Sequence, residues 1–318
     1  MSSTTTSKAT PQTIDRDSLR TMPLPEYSDE ASKADYGKLL IVAGSRRLPG
    51  PAILAARAAL RCGCGTVRVA APESIATHIG VAVPELMMIP LPETATGTAS
   101  RQAYDIIEAQ FRSCDAVVLG PGLDEHEETD ELARLIATEA PLPLLLDAQA
   151  LLAIAKNKKL DFGASKAARV LTPHPGELST LLGRKVDELQ SQREKVAVSF
   201  ARDYDVTLVF KGRETLISAP DGTLLKNQAG TRGMGTAGSG DVLAGAIGGL
   251  LTQGMAAPHA AAWGVHLHAL AGEAAQKEMG DDGMMARDFL EMLPRVLRYL
   301  RGATENKSAK TRTGLRPT

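Results

Sequence analysis

Between Gly230 and Gly240 the chain places five glycines in eleven positions, and Asp241 follows directly, opening a run of apolar and small residues from Val242 to Leu251. Glycine has no Cβ, so this backbone can take φ > 0 and press close to a ligand. The apolar run reads as a helix. A glycine-rich turn feeding a helix N-terminus offers unpaired N–H groups and the positive end of the helix dipole to an anion. A carboxylate there would repel a phosphate that is merely bound, but it suits a general base aimed at a hydroxyl. An N-cap Asp after a flexible loop is the competing explanation. The density of glycines favours the chemical one.

Such a site must be held by rigid elements, and the chain supplies them in alternation. Apolar strands are expected at Lys38–Ala43, Thr66–Ala70, Leu86–Ile89, Asp115–Leu119, Leu142–Leu146, Arg169–Thr172 and Val206–Phe210. Helical stretches such as Ala52–Cys62 and Ser100–Phe111 lie between them. Continuous apolar strands separated by helices read as a mostly parallel central sheet covered on both faces. Thr215–Ser218 and Thr223–Lys226, split by Asp221-Gly222, read as a small hairpin at the sheet edge. Polar and glycine-rich signals fall at the strand ends: Gly44-Ser45, Gly120-Pro-Gly122, Asp147, His174-Pro-Gly-Glu177 and Lys211-Gly212. In open α/β sheets ligands sit outside the carboxyl ends of the strands, so these signals share one crevice.

Composition narrows the class. The 318 residues are 43% hydrophobic and 23% charged, with a formal net charge of −1, as in ordinary globular α/β proteins. Aromatics make up only 3%, which with the near-zero charge argues against nucleic-acid binding. No apolar run reaches the length of a membrane span. Cys62, Cys64 and Cys114 lack metal-ligand spacing and fit small buried thiols in a reduced, cytoplasmic protein. Residues 1–35 are expected to form a flexible N-terminal arm and 302–318 a flexible basic tail, leaving one domain over 36–301. No dinucleotide fingerprint follows the first strand and no P-loop occurs.

The loop Gly230–Gly245 resembles the anion-hole loop of the ribokinase-like superfamily. More narrowly, the sequence resembles the ADP-dependent NAD(P)H-hydrate dehydratases, through Leu119-Gly-Pro-Gly-Leu123, Asp147-Ala-Gln-Ala-Leu151, Leu171-Thr-Pro-His-Pro-Gly-Glu-Leu178 and Lys211-Gly-Arg-Glu-Thr215. The resemblance implies an α/β ribokinase-like fold and a repair reaction. The S epimer of NADH hydrate or NADPH hydrate is dehydrated to NAD(P)H, with ADP, or ATP, as phosphoryl donor and Mg2+ as its companion. It implies that Lys211, Gly212, Arg213, Glu214 and Thr215, with Ala237, Gly238, Ser239 and Gly240, contact the nucleotide. Pro51, Gly122, His174 and Asp241 contact the hydrate, and Asp241 is the base. Glu177 either organises Mg2+ through water or is a first-turn helix acid; His174 either binds substrate or shapes a Pro-flanked turn; Asp147 either caps a turn or touches ligand. The family implies a homo-oligomer, for which the Ala257–Ala275 helix is a candidate face, and a separate epimerase acting on the same metabolite. His259, His266 and His268 on that helix read as core or interface histidines rather than metal ligands, and Trp263 as packing. Three departures from the family pattern stand out: Thr231-Arg232 replaces a usual Asn-Pro, Gln149 a usual Asp, and Pro51 a usual Ala. A ribokinase-like kinase, such as a hydroxyethylthiazole kinase, and a non-catalytic nucleotide-binding domain are the alternative readings.

Overall fold

The strands expected from the apolar runs form one sheet in the computed structural model, which describes residues 10–157, 160, 162 and 166–308. Among the described residues the strands are β1 (Gln12–Thr13), β2 (Lys38–Val42), β3 (Thr66–Pro72), β4 (Met87–Leu91), β5 (Ala116–Leu119), β6 (Leu144–Leu146), β7 (Arg169–Leu171), β8 (Thr207–Phe210), β9 (Thr215–Ser218) and β10 (Leu224–Asn227). Their spatial order is β1-β10-β9-β8-β7-β6-β5-β2-β3-β4. Pairing is parallel from β8 through to β4, and β9 runs antiparallel to both β8 and β10. The order reverses between β5 and β2, so the crevice of an open α/β sheet falls there.

Both faces are buried. Successive residues of a strand point to opposite faces, and in β2 Leu39 and Ile41 join one apolar core while Leu40 and Val42 join the other. The first core is covered chiefly by the helices Gly50–Arg61, Ser239–Leu251, Ala257–Met279 and Ala286–Ser308. Small residues let these helices touch. A Cβ on Gly245 would lie 2.0 Å from the Ala55 carbonyl oxygen, and one on Gly264 2.5 Å from Ile247 Cγ1. The Ser239–Leu251 helix is thus seated by backbone contact, which fixes where its N-terminus points. Trp263 is 1% exposed and donates its indole N–H to Met22 O at 2.6 Å. It is core, as expected. The apolar face of the Ala257–Met279 helix is buried inside the chain, with Ala260, Leu267 and Ala271 fully covered. That face is therefore not available as an interface between copies.

The two ends depart from expectation. The described part of the N-terminal arm is anchored rather than loose: β1 pairs in parallel with β10, and Ile14 donates its N–H to Lys226 O at 2.8 Å. Ile14, Leu19 and Met22 are buried in the first core. Asp15 caps the short helix Arg16–Arg20 through the N–H groups of Asp17 and Ser18. The β9–β10 hairpin lies at the expected end of the sheet, with β1 one place farther out. At the other terminus the helix Ala286–Ser308 runs into the segment expected as a tail; residues 309–318 lie outside the described residues.

Candidate active site

Asp147, Thr172 and Lys211 lie just past the carboxyl ends of β6, β7 and β8. Because these strands are adjacent, the three side chains meet. Lys211 Nζ stands 2.9 Å from Asp147 Oδ1 and 3.7 Å from Glu177 Oε2, and Thr172 donates its hydroxyl to Asp147 Oδ1 at 2.7 Å. Asp147 is 2% exposed. The next residue, Ala148, has φ 50° and ψ −124°, a region costly for a residue with a Cβ. That strained turn starts the helix Gln149–Ala155 and leaves the Asp147 side chain on the crevice side. Gln149 donates to Asp130 Oδ1 at 2.8 Å, and Lys156 contacts the other oxygen of Asp130 at 2.6 Å. Gln149 is therefore bound on the far side of the turn and serves structure there.

His174 and Glu177 form a reciprocal cap on the helix Pro175–Leu182. Nδ1 of His174 accepts the N–H groups of Gly176 at 3.0 Å and Glu177 at 3.2 Å, while Glu177 Oε2 accepts the His174 N–H at 2.7 Å. An Nδ1 that accepts two N–H bonds carries no proton, so the neutral ring is protonated at Nε2. That nitrogen belongs to a half-exposed side chain, 56% accessible, and lies 3.5 Å from Glu177 Oε1. His174 thus shapes the Pro-flanked turn, as the structural reading expects. Glu177 is both a first-turn helix acid and part of the buried charge cluster. Burial pushes its carboxyl pKa up, Asp147 adds to this, and Lys211 opposes it.

The glycine-rich loop ends at Gly238, the N-cap of the Ser239–Leu251 helix, with φ 88°. Asp241 is then the third helical residue. It makes no cap, so the competing N-cap explanation does not apply. Lys211 Nζ lies 3.5 Å and Asp147 Oδ2 3.7 Å from the point a Cβ on Gly240 would occupy, so the Lys211 loop and the helix N-terminus share one pocket. Burial, reinforced by Asp147 and only partly offset by Lys211, lifts the Asp241 pKa to about 7. Burial works against the Lys211 ammonium, but the carboxylates of Asp147 and Glu177 outweigh it and raise its pKa. A base poised near neutrality beside a fixed ammonium and a row of backbone N–H groups is equipped for phosphoryl transfer to a hydroxyl.

The remaining expected residues divide into two groups. Gly122 and Pro51 are brought together at the β2–β5 reversal: Gly122 has φ 70°, and a Cβ there would lie 2.9 Å from Pro51 Cβ. Gly44, after β2, donates to Pro121 O at 2.8 Å and ties the two loops. Gly212, Arg213 and Glu214 form an exposed turn closed by the Thr215 hydroxyl on Gly212 O at 3.1 Å. A residue missed from the sequence shapes this turn. Arg193 Nη2 donates to the carbonyls of Phe210, Lys211 and Glu214 at 3.0, 3.2 and 3.1 Å, and its guanidinium stacks 3.9 Å above the Phe210 ring.

His266 is buried and bonds Asn227 at 2.9 Å, and burial lowers the pKa of His268 to about 4. Among the described residues no group of three or more His, Cys, Asp or Glu side chains is placed to hold a metal ion. Asp147 and Glu177 both face the Lys211 ammonium, and Asp147 and Lys211 approach Gly240 at the end of the glycine loop.

Residues 39–295 match the family model described as NAD(P)H-hydrate dehydratase. The chain belongs to this family. It is 35% identical to the ADP-dependent (S)-NAD(P)H-hydrate dehydratase of Xanthomonas campestris, over 90% of this chain and 96% of that one. It is 40% identical to the bifunctional NAD(P)H-hydrate repair enzyme of Moorella thermoacetica, over 89% of this chain, and spans 53% of that relative's length. The structure superposes with a TM-score of 0.78 on the ADP/ATP-dependent NAD(P)H-hydrate dehydratase of Bacillus subtilis, co-crystallised with ATP and Mg2+, at 28% identity and covering 91% of this chain and 99% of that one. For this family member the ribokinase-like fold follows from both the sheet order and the superposition.

Proposed function

We propose that this chain dehydrates the S epimer of NADH hydrate or NADPH hydrate to NAD(P)H, consuming ADP, or ATP, as phosphoryl donor. The observation that carries the reading is Asp241, an acid lifted to about 7 at the third position of a helix whose N-terminus faces the Lys211 ammonium. Hydroxide leaves a hydrated ring poorly. Asp241 takes the proton of the ring hydroxyl as its oxygen attacks the terminal phosphoryl group of ADP, releasing AMP. The ring then expels phosphate and gives up the proton on the neighbouring ring carbon to solvent as the ring C=C bond forms, so the elements of water leave in two easier parts. The N–H groups from Ala237 to Gly240 and the Lys211 ammonium stabilise charge on the group in flight. Lys211 to Thr215, held in shape by Arg193, receive the AMP portion. His174 Nε2–H, Gly122 and Pro51 receive the hydrate.

Mg2+ would neutralise the phosphates when the nucleotide is bound. Glu177 would hold it through water, since both carboxylate oxygens already face His174 groups. An epimerase acting on the other epimer is the partner activity; the names of the bifunctional relatives support that pairing. Three buried free cysteines suit a reducing compartment such as the cytoplasm. Assembly into a homo-oligomer belongs to the same proposal and is supported by β4, the outermost strand among the described residues, where Met87 and the neighbouring Val81 are exposed.

Incubation with NADH hydrate and ADP or ATP, followed by the absorbance of the reduced nicotinamide, tests the proposal. Recovery of absorbance with AMP and phosphate released supports it. A stable phosphorylated alcohol would instead identify a kinase, and tight nucleotide binding without turnover a sensor.

A further inference from the structure

The glycine loop of this chain carries Thr231-Arg232 and is held from behind by one carboxylate. Asp281 lies in the turn beyond the Ala257–Met279 helix. Its Oδ1 accepts the Thr231 hydroxyl and the Gly233 N–H, the latter at 3.0 Å. Its Oδ2 accepts Arg232 Nε at 3.1 Å and Gln276 Nε2 at 2.9 Å. Three of these four donors belong to consecutive residues of the loop. The fit is close: a Cβ on Gly233 would lie 3.0 Å from both Asp281 O and Oδ1. A carboxylate that accepts several short bonds stays ionised, and Thr231, Arg232, Gln276 and Gly233 together hold the Asp281 pKa down at about 2. Asp281 is only 17% exposed in the ion pair with Arg232. Surface ion pairs as such contribute little, but here the same acceptor fixes two backbone-defining positions: the extended Thr231, at φ −132° and ψ 159°, and the 3-10 turn Arg232–Met234.

We infer that Asp281 is a positioning residue for the phosphoryl-transfer site, holding Gly230–Gly238 in its anion-binding shape before any nucleotide arrives. This rests on the nucleotide reading of that loop. Pre-forming the loop removes ordering entropy from the binding step and keeps the N–H groups aimed. The geometry also indicates what could replace Asp281. Thr231 is extended, as a residue before proline must be, and Arg232 opens a helical turn, where proline's missing backbone N–H is tolerated. A proline at 232 would stiffen the loop from within the chain.

The test compares the parent protein with Asp281→Ala and with Asp281→Ala combined with Arg232→Pro. Amide hydrogen exchange of residues 230–238 is read without ligand, together with ADP titration, steady-state turnover and melting. In Asp281→Ala the Gly233 region should exchange faster. Either ADP affinity or turnover should fall by up to about 10²-fold, the scale of a misplaced catalytic framework, while the melting temperature stays within a few degrees of the parent. Arg232→Pro in that background should recover part of both the protection and the activity. Unchanged exchange and unchanged ADP affinity in a folded Asp281→Ala overturn the inference. So does a large melting loss that Arg232→Pro leaves uncorrected together with the activity, because that marks general support of the fold. A parent protein that binds no adenine nucleotide overturns the functional reading instead, and the ligand-free exchange still reports on the loop.

Discussion

Beyond β6, β7 and β8 the crevice is walled by ionisable side chains, with Asp147, Glu177 and Asp241 around the single ammonium of Lys211. Beyond β2 and β5 it is walled by Gly44, Pro51 and Gly122, with backbone where the other half has charge. The two halves lie along one sheet edge, so topology does not distinguish them; the chemistry each must meet does. Phosphoryl transfer moves negative charge and a proton, and fixed charges in a shielded site do that best. On the proposed function, the half beyond β2 and β5 would receive the hydrated ring; Gly122 has φ 70°, and any Cβ there would strike Leu48 O and Pro51. His174 Nδ1 is committed to the helix that carries Glu177, and its Nε2 lies 3.5 Å from Glu177 Oε1 on a half-exposed side chain.

The largest expected effect breaks the charged half at its base. Asp241→Asn keeps the volume and removes the proton acceptor, so turnover should fall by ~10²–10⁴-fold while ADP affinity holds or tightens. With the Asp241 pKa at about 7, kcat/KM of the parent should rise with pH through neutrality and level off above it, and the variant should lack that limb. Stability should move the other way. A carboxyl raised from 3.8 to about 7 on folding binds its proton more tightly in the folded state. Its destabilising effect therefore grows as pH rises from about 4 to about 7 and is complete above that. Asp241→Asn should melt above the parent at about pH 8, with the gap closing toward pH 4. Near-normal turnover by the variant would sink the base assignment.

Next in size is Lys211→Ala. Losing a charged hydrogen-bonding group removes roughly 1.5–3 kcal/mol, about 10–100-fold in ADP affinity, and leaves Asp147 and Glu177 facing each other without their shared cation. Calorimetry should show weaker ADP binding, and the Asp241 limb of the pH profile should move to higher pH because its one nearby cation is gone. Unchanged ADP affinity would show that Lys211 serves only the carboxylates and would redraw the charged half.

The strands were legible because parallel strands buried on both faces are written as unbroken apolar runs, and Gly44, Gly120, Asp147 and Lys211 mark where each run stops. β1 was not, because Gln12-Thr13 has no apolar signal and Ile14, Leu19 and Met22 are spaced irregularly. Its strand character comes from the partner, the outer edge of β10. In the site, the residue types were readable one strand end at a time, but the Lys211–Asp147 contact depends on β6, β7 and β8 being neighbours, which only the sheet order supplies. Arg193 and Asp281 left no mark in the sequence. Both act on backbone groups of a loop far along the chain, and a backbone carbonyl or N–H has no residue type to recognise. Asp241 reads from the sequence as a candidate base, yet its place at the third helical residue rather than the cap follows from Gly238 taking the left-handed conformation.

The smallest expected effect probes the neutral half. Pro51 sits in the first turn of the Gly50–Arg61 helix, where its missing N–H is no loss and its ring packs against Gly122. Pro51→Ala keeps the backbone and trims the ring, widening the gap beside Gly122 by little more than a methylene pair. One methylene in a pocket changes discrimination by about 10–200-fold at most, and here the contact is with backbone at the pocket wall, so KM for the hydrate should shift by less than about 10-fold with kcat nearly constant. Releasing proline's restraint on the unfolded chain lowers stability by about 0.4–1 kcal/mol, a melting shift of a few degrees at most. ADP affinity should not change at all, since Pro51 has no contact with the Lys211 turn or the glycine loop. Measuring KM for the hydrate and ADP affinity on the same variant decides whether the two halves are separable. A loss of ADP affinity from Pro51→Ala would mean that the helix pair joining Ala55 to Gly245 transmits the change to the N-terminus of the Ser239–Leu251 helix. The charged and neutral halves would then be one mechanical unit rather than two.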